Sequence, residues 1–244
     1  MRRSQARLLL LVALAPMPWG LKRRALPRLL GAKIDRSARI GVSIVDSDGL
    51  EMGPGSRIGH LTVLRGLRHT RIGAGATVGN LNWITASPMF RSQATAKSEH
   101  ACFTLGRESA VTARHYIDCS GGVTIGEYST VAGVRSTILS HQIDLVEGVQ
   151  STKSTRVGDY CFVSSNVCVT PGAIIPDRSV VAMGAVVVGD LAPAGALFGG
   201  VPARVIRSHV DAGSYFQRTH GFVGLGPVDR ADGGVADAEG RRVP

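Results

Sequence analysis

The sequence is poor in aromatic residues, which make up 5% of the chain, and none of its four cysteines, Cys102, Cys119, Cys161 and Cys168, forms a Cys-x-x-Cys pair. Few aromatics suit a narrow interior filled by Val, Ile and Ala. The missing Cys-x-x-Cys removes the usual signal for structural zinc or dithiol chemistry. The thiols read instead as small apolar filler in a reducing cytosol. Acidic residues are scarce at the start. Residues 1–39 hold one acid, Asp35, against ten bases: Arg2, Arg3, Arg7, Lys22, Arg23, Arg24, Arg28, Lys33, Arg36 and Arg39. That segment accounts for nine of the chain's ten net positive charges. The remainder is close to neutral, which argues against a nucleic-acid partner. The apolar run from Leu8 to Met17 is too short to cross a hydrocarbon layer of about 30 Å, and Pro16 and Pro18 break it.

What is present is a period. Val157, Val163, Val169, Ile175, Val181 and Val187 fall six apart. Two residues before each later member stands a small or medium side chain: Cys161, Val167, Ala173, Ser179 and Ala185. Six matches neither the 3.6 of an amphipathic helix nor the 2 of a strand. It matches a chain that makes a short strand, turns a corner and repeats, stacking coils over a ladder of aliphatics. The expected fold is an all-β, hexapeptide-repeat parallel β-helix. With 244 residues and 44% hydrophobic content the chain is long enough for one such core.

The repeats start at Ile34 and Ile40. They continue through Met52, Ile58 and Leu64, then Ile72, Val78 and Ile84, with corner insertions expected at 45–51 and 66–71. Residues 85–104 interrupt the pattern with a loop of the length that is usually functional or disordered; Met89 and Phe90 there, beside Trp83, either meet lipid or an acceptor or cover the solenoid wall. Repeats resume at Leu105, Val111 and Ile117, and after Gly121-Gly122 at Ile125, Val131 and Thr137. Ser140-His141-Gln142-Ile143-Asp144 opens a second loop, 142–155. The domain reading is therefore 1–30, 31–207 and 208–244. Residues 208–244 form a tail expected to be largely disordered. Residues 1–30 begin like a signal peptide, but Pro16 follows the one Ala-x-Ala. Their mixture of leucines and bases reads either as a membrane-surface element or as a helix closing the open end of the solenoid, and the two are compatible.

The repeats, the Ser-His-x-x-Asp at 140–144 and the closing Gly200-Val201-Pro202-Ala203-Arg204-Val205-Ile206-Arg207 together resemble the hexapeptide acyltransferases. The nearest branch is the maltose, galactoside and xenobiotic O-acetyltransferases with the related exopolysaccharide enzymes. The resemblance is firmest over 123–207. It implies a left-handed β-helix, a homotrimer with sites between subunits, acetyl-CoA as co-substrate along the last coils, and no metal. It also implies a sugar, polysaccharide or glycolipid acceptor, no nucleic acid, and a cytoplasmic protein that contacts the inner face of the plasma membrane if residues 1–30 bind it.

The resemblance makes His141 the general base. Neutral imidazole can take a proton from a sugar hydroxyl as it attacks a thioester, so no Ser or Cys nucleophile is expected. Asp144 either shapes the loop or touches the acceptor. His115, standing where a small inward residue is usual, is a second candidate for the acceptor pocket. Matched through the repeats, the CoA contacts fall on Ser165, Met183, Val188, Arg204 and Arg207, with the two arginines placed for phosphates. The family's Thr-Lys-Asp is replaced here by Val188-Gly189-Asp190, so a phosphate-binding lysine is missing from that place. A γ-type carbonic anhydrase needs a second histidine five residues on, where Val146 stands. A serine acetyltransferase needs a long helical N-terminal domain. A sugar N-acyltransferase and a non-catalytic solenoid scaffold stay open as alternatives.

Overall fold

The structure is a computed structural model that describes residues 2–91 and 98–224. It is a left-handed parallel β-helix. Strands from successive coils lie on one another in three columns. Val157 rests on Ile175, Val163 on Val181 and Val169 on Val187, three hexapeptides further on. All six are buried, as are Cys161, Val167, Ala173, Ser179 and Ala185. Each fully buried Val or Ile contributes about 1.5–3 kcal/mol, so the ladder is a main source of stability. Cys168 departs from its reading as filler: it sits beside inward Val169 but faces out and is exposed.

Two details of the coils before Val157 differ from the sequence pattern. Residues 45–51 and 66–71 are not inserted loops. Ile44–Met52 and Val63–Ile72 run unbroken around a corner, with Leu50 and Leu67 in the core. The second detail is register. Ile138, not Thr137, faces inward, resting on Ile117 above and Val169 below. One extra residue has been accommodated between Val131 and Val134, where the pairing shifts. Gly133 makes this possible: its φ is +66°, and a Cβ would lie 1.7 Å from Ser165 Oγ. Only glycine fits both demands.

The first coil is covered by two helices, Arg2–Leu14 (α1) and Trp19–Leu30 (α2). Leu11, Leu26 and Leu30 join the solenoid core. Buried Lys22 lies between them, its Nζ donating to the carbonyls of Ala15 (3.1 Å) and Gly41 (2.6 Å). Arg7 ties α1 to the first long strand through Asp46 (2.8 Å) and Asp48 (2.6 Å). No helix among the described residues is long and apolar enough to cross a membrane.

At the other end Phe198 and Ala203 close the core, and Leu197–Gly199 pairs antiparallel with Arg204–Arg207. Part of the expected tail is ordered structure. Residues 208–224 run back along one corner, with 3-10 turns at Val210–Ala212 and Ser214–Gln217. Arg218 sits over the Tyr215 ring at 3.8 Å and donates to the Tyr128 carbonyl. Tyr128 and Tyr160 stack at 4.7 Å, with Arg107 and Arg178 on their outer faces. Each such cation–ring contact is worth about 0.5–1 kcal/mol at an exposed site. The rest of the tail, 225–244, lies outside the described residues.

Candidate active site

Both long excursions leave the solenoid from one corner, in coils separated by a single intervening one. The first leaves after Ile84 and returns at Phe103; the second leaves after Ile138 and returns at Thr155. Between them the corner is the tight turn Asp118–Gly122. Hydrogen bonds tie the three levels together. Ser87 N donates to Ser120 Oγ (3.0 Å) and Gly121 N to Ser140 Oγ (2.8 Å).

The second excursion is a hairpin, His141–Asp144 against Val149–Thr152, with His141 opposite Thr152. His141 is thus fixed at the root of the hairpin. Its Nδ1 lies 2.6 Å from Oδ2 of Asp118, and Asp118 is 2% exposed. The buried carboxylate is fully served. Oδ1 accepts from Ser120 Oγ (2.6 Å) and the Ser120 N–H (3.3 Å), and Oδ2 accepts from the Ser140 N–H (3.1 Å). A carboxylate at Nδ1 keeps the ring proton there, because an unprotonated Nδ1 would face a negative oxygen. The lone pair of the neutral ring is then on Nε2, which has no hydrogen-bond partner among the described residues. The imidazole is partly exposed, and Phe90 of the short helix Pro88–Arg91 (α3) packs against it at 5.9 Å between ring centroids. The pair is arranged as a base held by an orienting acid.

The other expected site residues do not converge on this point. His115 is interior, not part of an acceptor pocket. It is 1% exposed, its Nδ1 accepts from the Ser136 N–H (3.1 Å), and its Nε2 meets Thr112 Oγ1 (3.0 Å). Burial lowers its pKa to about 4, so it stays neutral and knits adjacent coils together. Asp144 sits at the far end of the hairpin strand. Its Oδ1 accepts from the N–H groups of Val146 (3.0 Å) and Glu147 (3.1 Å), which shapes the turn.

Of the residues matched to CoA, Ser165, Met183 and Val188 border the same face of the solenoid as His141, on lower coils. Ser165 accepts from Val134 N–H at one edge, and Met183 lies one coil below it, where Gly184 N donates to the Ser165 carbonyl. Val188 lies at the opposite edge, beneath the corner that carries His141. Met183 and Val188 are exposed. Arg204 and Arg207 are exposed on the closing strand.

Three neighbours of His141 escaped the sequence reading. Asp118 comes from the preceding coil, and a strict count of six would have misaligned it by one residue. Phe90 comes from the first excursion. Lys153, whose N–H bonds the Ser140 carbonyl and whose stem covers Gly172, puts an exposed cation on this corner. Among the described residues no group of three or more His, Cys, Asp or Glu is placed to hold a metal.

The fold and this corner define a hexapeptide-repeat β-helix with a histidine–aspartate pair at a loop root. No protein-family model matches the sequence. Among solved structures, the chain is similar to the polysialic acid O-acetyltransferase OatWY at 14% identity and TM-score 0.50, over 73% of this chain and 84% of that one. The likeness shows the shared fold. The hexapeptide-repeat acetyltransferase VCA0836 from Vibrio cholerae, in complex with acetyl coenzyme A, aligns at 18% identity and TM-score 0.44, over 83% of this chain and 85% of that one.

Proposed function

We propose that the protein transfers an acetyl group from acetyl-CoA to a hydroxyl of a sugar in a cell-envelope polysaccharide or glycolipid. The observation that carries this is the Asp118–His141 pair at the edge of a solenoid face. Nε2 of His141 takes the proton of the acceptor hydroxyl as its oxygen attacks the thioester carbonyl carbon. The C–S bond then breaks, and the thiolate leaves with the proton from the imidazolium. The ester and free CoA are the products. Asp118 holds the ring and stabilises its charged form, and it needs no proton of its own.

The co-substrate side fits the residues present. Met183 and Val188 give the pantetheine arm apolar contact on the lower coils, and Arg204 and Arg207 give guanidinium partners to the phosphates. The protein works as a homotrimer, the neighbour completing each site. Residues 1–30 hold it at an anionic membrane, with Leu9, Leu10 and Leu21 exposed on the outer side of the helices and the basic residues beside them. The test is consumption of acetyl-CoA over a panel of glycans with mass spectrometry of the products. An O-acetyl ester on a sugar supports the reading, an amide product gives the N-acyltransferase, and no turnover with any acceptor gives the scaffold.

A further inference from the structure

Two aromatic side chains stand in register on the outer surface of the face that leads to His141. Trp83 pairs with Tyr116 one coil below, and they are 48% and 42% exposed. Neighbouring rungs are about 4.8 Å apart, so the two side chains leave the wall next to each other. In a chain this poor in aromatics, two of them side by side in solvent mark a recognition surface.

The platform adjoins the catalytic pair. Tyr116 and Asp118 project from the same side of one strand, roughly 7 Å apart along it. A second outward column runs parallel: Asp118 pairs with Thr85, and Thr85 with Arg65. Arg65, Gly66, Trp83, Thr85, Ala86 and Pro88 line a cleft of about 270 Å³. Pro88 opens α3, whose Phe90 packs on His141. The carboxylates near the platform, Asp46 and Asp118, are engaged by Arg7 and by His141, which leaves two arginines as the open charges. Arg65 is exposed on one side and Arg114, at the corner two residues before Tyr116, on the other. Neither has a carboxylate partner among the described residues.

We infer that Trp83 and Tyr116 form the acceptor platform and that the acceptor is an acidic sugar; this rests on the acyl-transfer reading above. The apolar C–H face of a pyranose stacks on the two rings. Arg65 meets the sugar's carboxylate, for which a guanidinium fork is the matching donor. The ring edge then reaches toward His141 with a hydroxyl for Nε2. Met183 and Val188 lie at the lower coils of this face and the platform on the upper coils, so the His141 corner falls between donor and acceptor.

The experiment uses the full chain carrying Trp19→Phe, which leaves Trp83 as the tryptophan reporter. A hyaluronan tetrasaccharide, which carries uronic acids, and neutral maltotetraose are each titrated while fluorescence is followed. The acidic saccharide is expected to give a saturable change, and the neutral one to bind at least ten-fold more weakly. Arg65→Gln should abolish that preference. Trp83→Ala is followed by saturation-transfer NMR of the saccharide. It should lose binding at unchanged acetyl-CoA affinity and, in turnover, raise the acceptor KM at least ten-fold. Tyr116→Ala repeats the test should the first variant misfold. Saccharide binding without acyl transfer keeps the platform and removes the enzymatic reading. Equal affinity for the two saccharides, or no saturable change with either, overturns the proposal. So does a Trp83→Ala variant that loses only its oligomeric state in light scattering, because the face is then a contact between copies.

Discussion

Asp118 and His141 meet at 2.6 Å across a turn of the solenoid, and the same carboxylate accepts the N–H of Ser140, the residue before the histidine. One buried acid thus fixes both the ring and the backbone that carries it. Asp118→Asn should therefore cut turnover on the order of 10²-fold or more. The KM for acetyl-CoA should be little changed, since the residues proposed to hold it lie elsewhere. Steady-state kinetics with a circular-dichroism check of folding measure this, and wild-type turnover in a folded variant would remove Asp118 from the mechanism.

His141→Ala is expected to leave melting temperature and acetyl-CoA affinity near wild type and to lower turnover by roughly 10²–10⁴. His115→Ala should behave oppositely. It removes the acceptor of the Ser136 N–H and empties a closed interior site, so it should cost about 2–4 kcal/mol of stability. If His115→Ala abolishes turnover in a stable protein while His141→Ala keeps most of it, the base has been misassigned.

His115 also predicts a pH dependence of stability. Burial lowers its folded pKa from 6.5 to about 4. Between those values the unfolded chain binds a proton that the folded chain refuses. Its contribution is therefore complete above about 6.5 and is lost as pH falls toward 4, with a slope of at most about 1.4 kcal/mol per pH unit. Urea unfolding across that range should show the slope, and His115→Gln should flatten it. An unchanged slope in the variant assigns the effect to other groups.

Gly133→Ala should destabilise by about 2 kcal/mol or more, because alanine is strained at φ +66° and its methyl would overlap Ser165 Oγ. Thermal melting reads the loss. A variant that melts like wild type would mean that the chain has another way to absorb the extra residue before Ile138.

Leu9→Ser combined with Leu10→Ser should weaken sedimentation with anionic vesicles without lowering the melting temperature, since both side chains are exposed while Leu11 carries the packing. Deleting residues 1–30 is a poorer test, because it would also uncover the first coil. Undiminished sedimentation of the double variant would refute the membrane reading.

The period of six by itself determined the architecture. A coil whose interior accepts one aliphatic per side can be recognised wherever consecutive coils keep the same length, as from Val157 to Val187. Residues 140–144 also pointed to a loop-root histidine. Tertiary structure decided the rest. The inward residue at Ile138 depends on a bulge at Gly133 that only glycine can fill, because Ser165 of the next coil lies against it and accepts the Val134 N–H. The separate fates of the two histidines were beyond sequence for the same reason. His115 is enclosed by Thr112, by the backbone of Ser136 and by Asn82, whose Oδ1 accepts its N–H. His141 is open on one side and held on the other by an acid 23 residues earlier. In a solenoid, chemistry is assembled vertically, between coils separated by 18 to more than 30 residues. The periodic pattern specifies which way each residue points. It does not specify which residue of another coil it will meet, because every insertion resets that alignment.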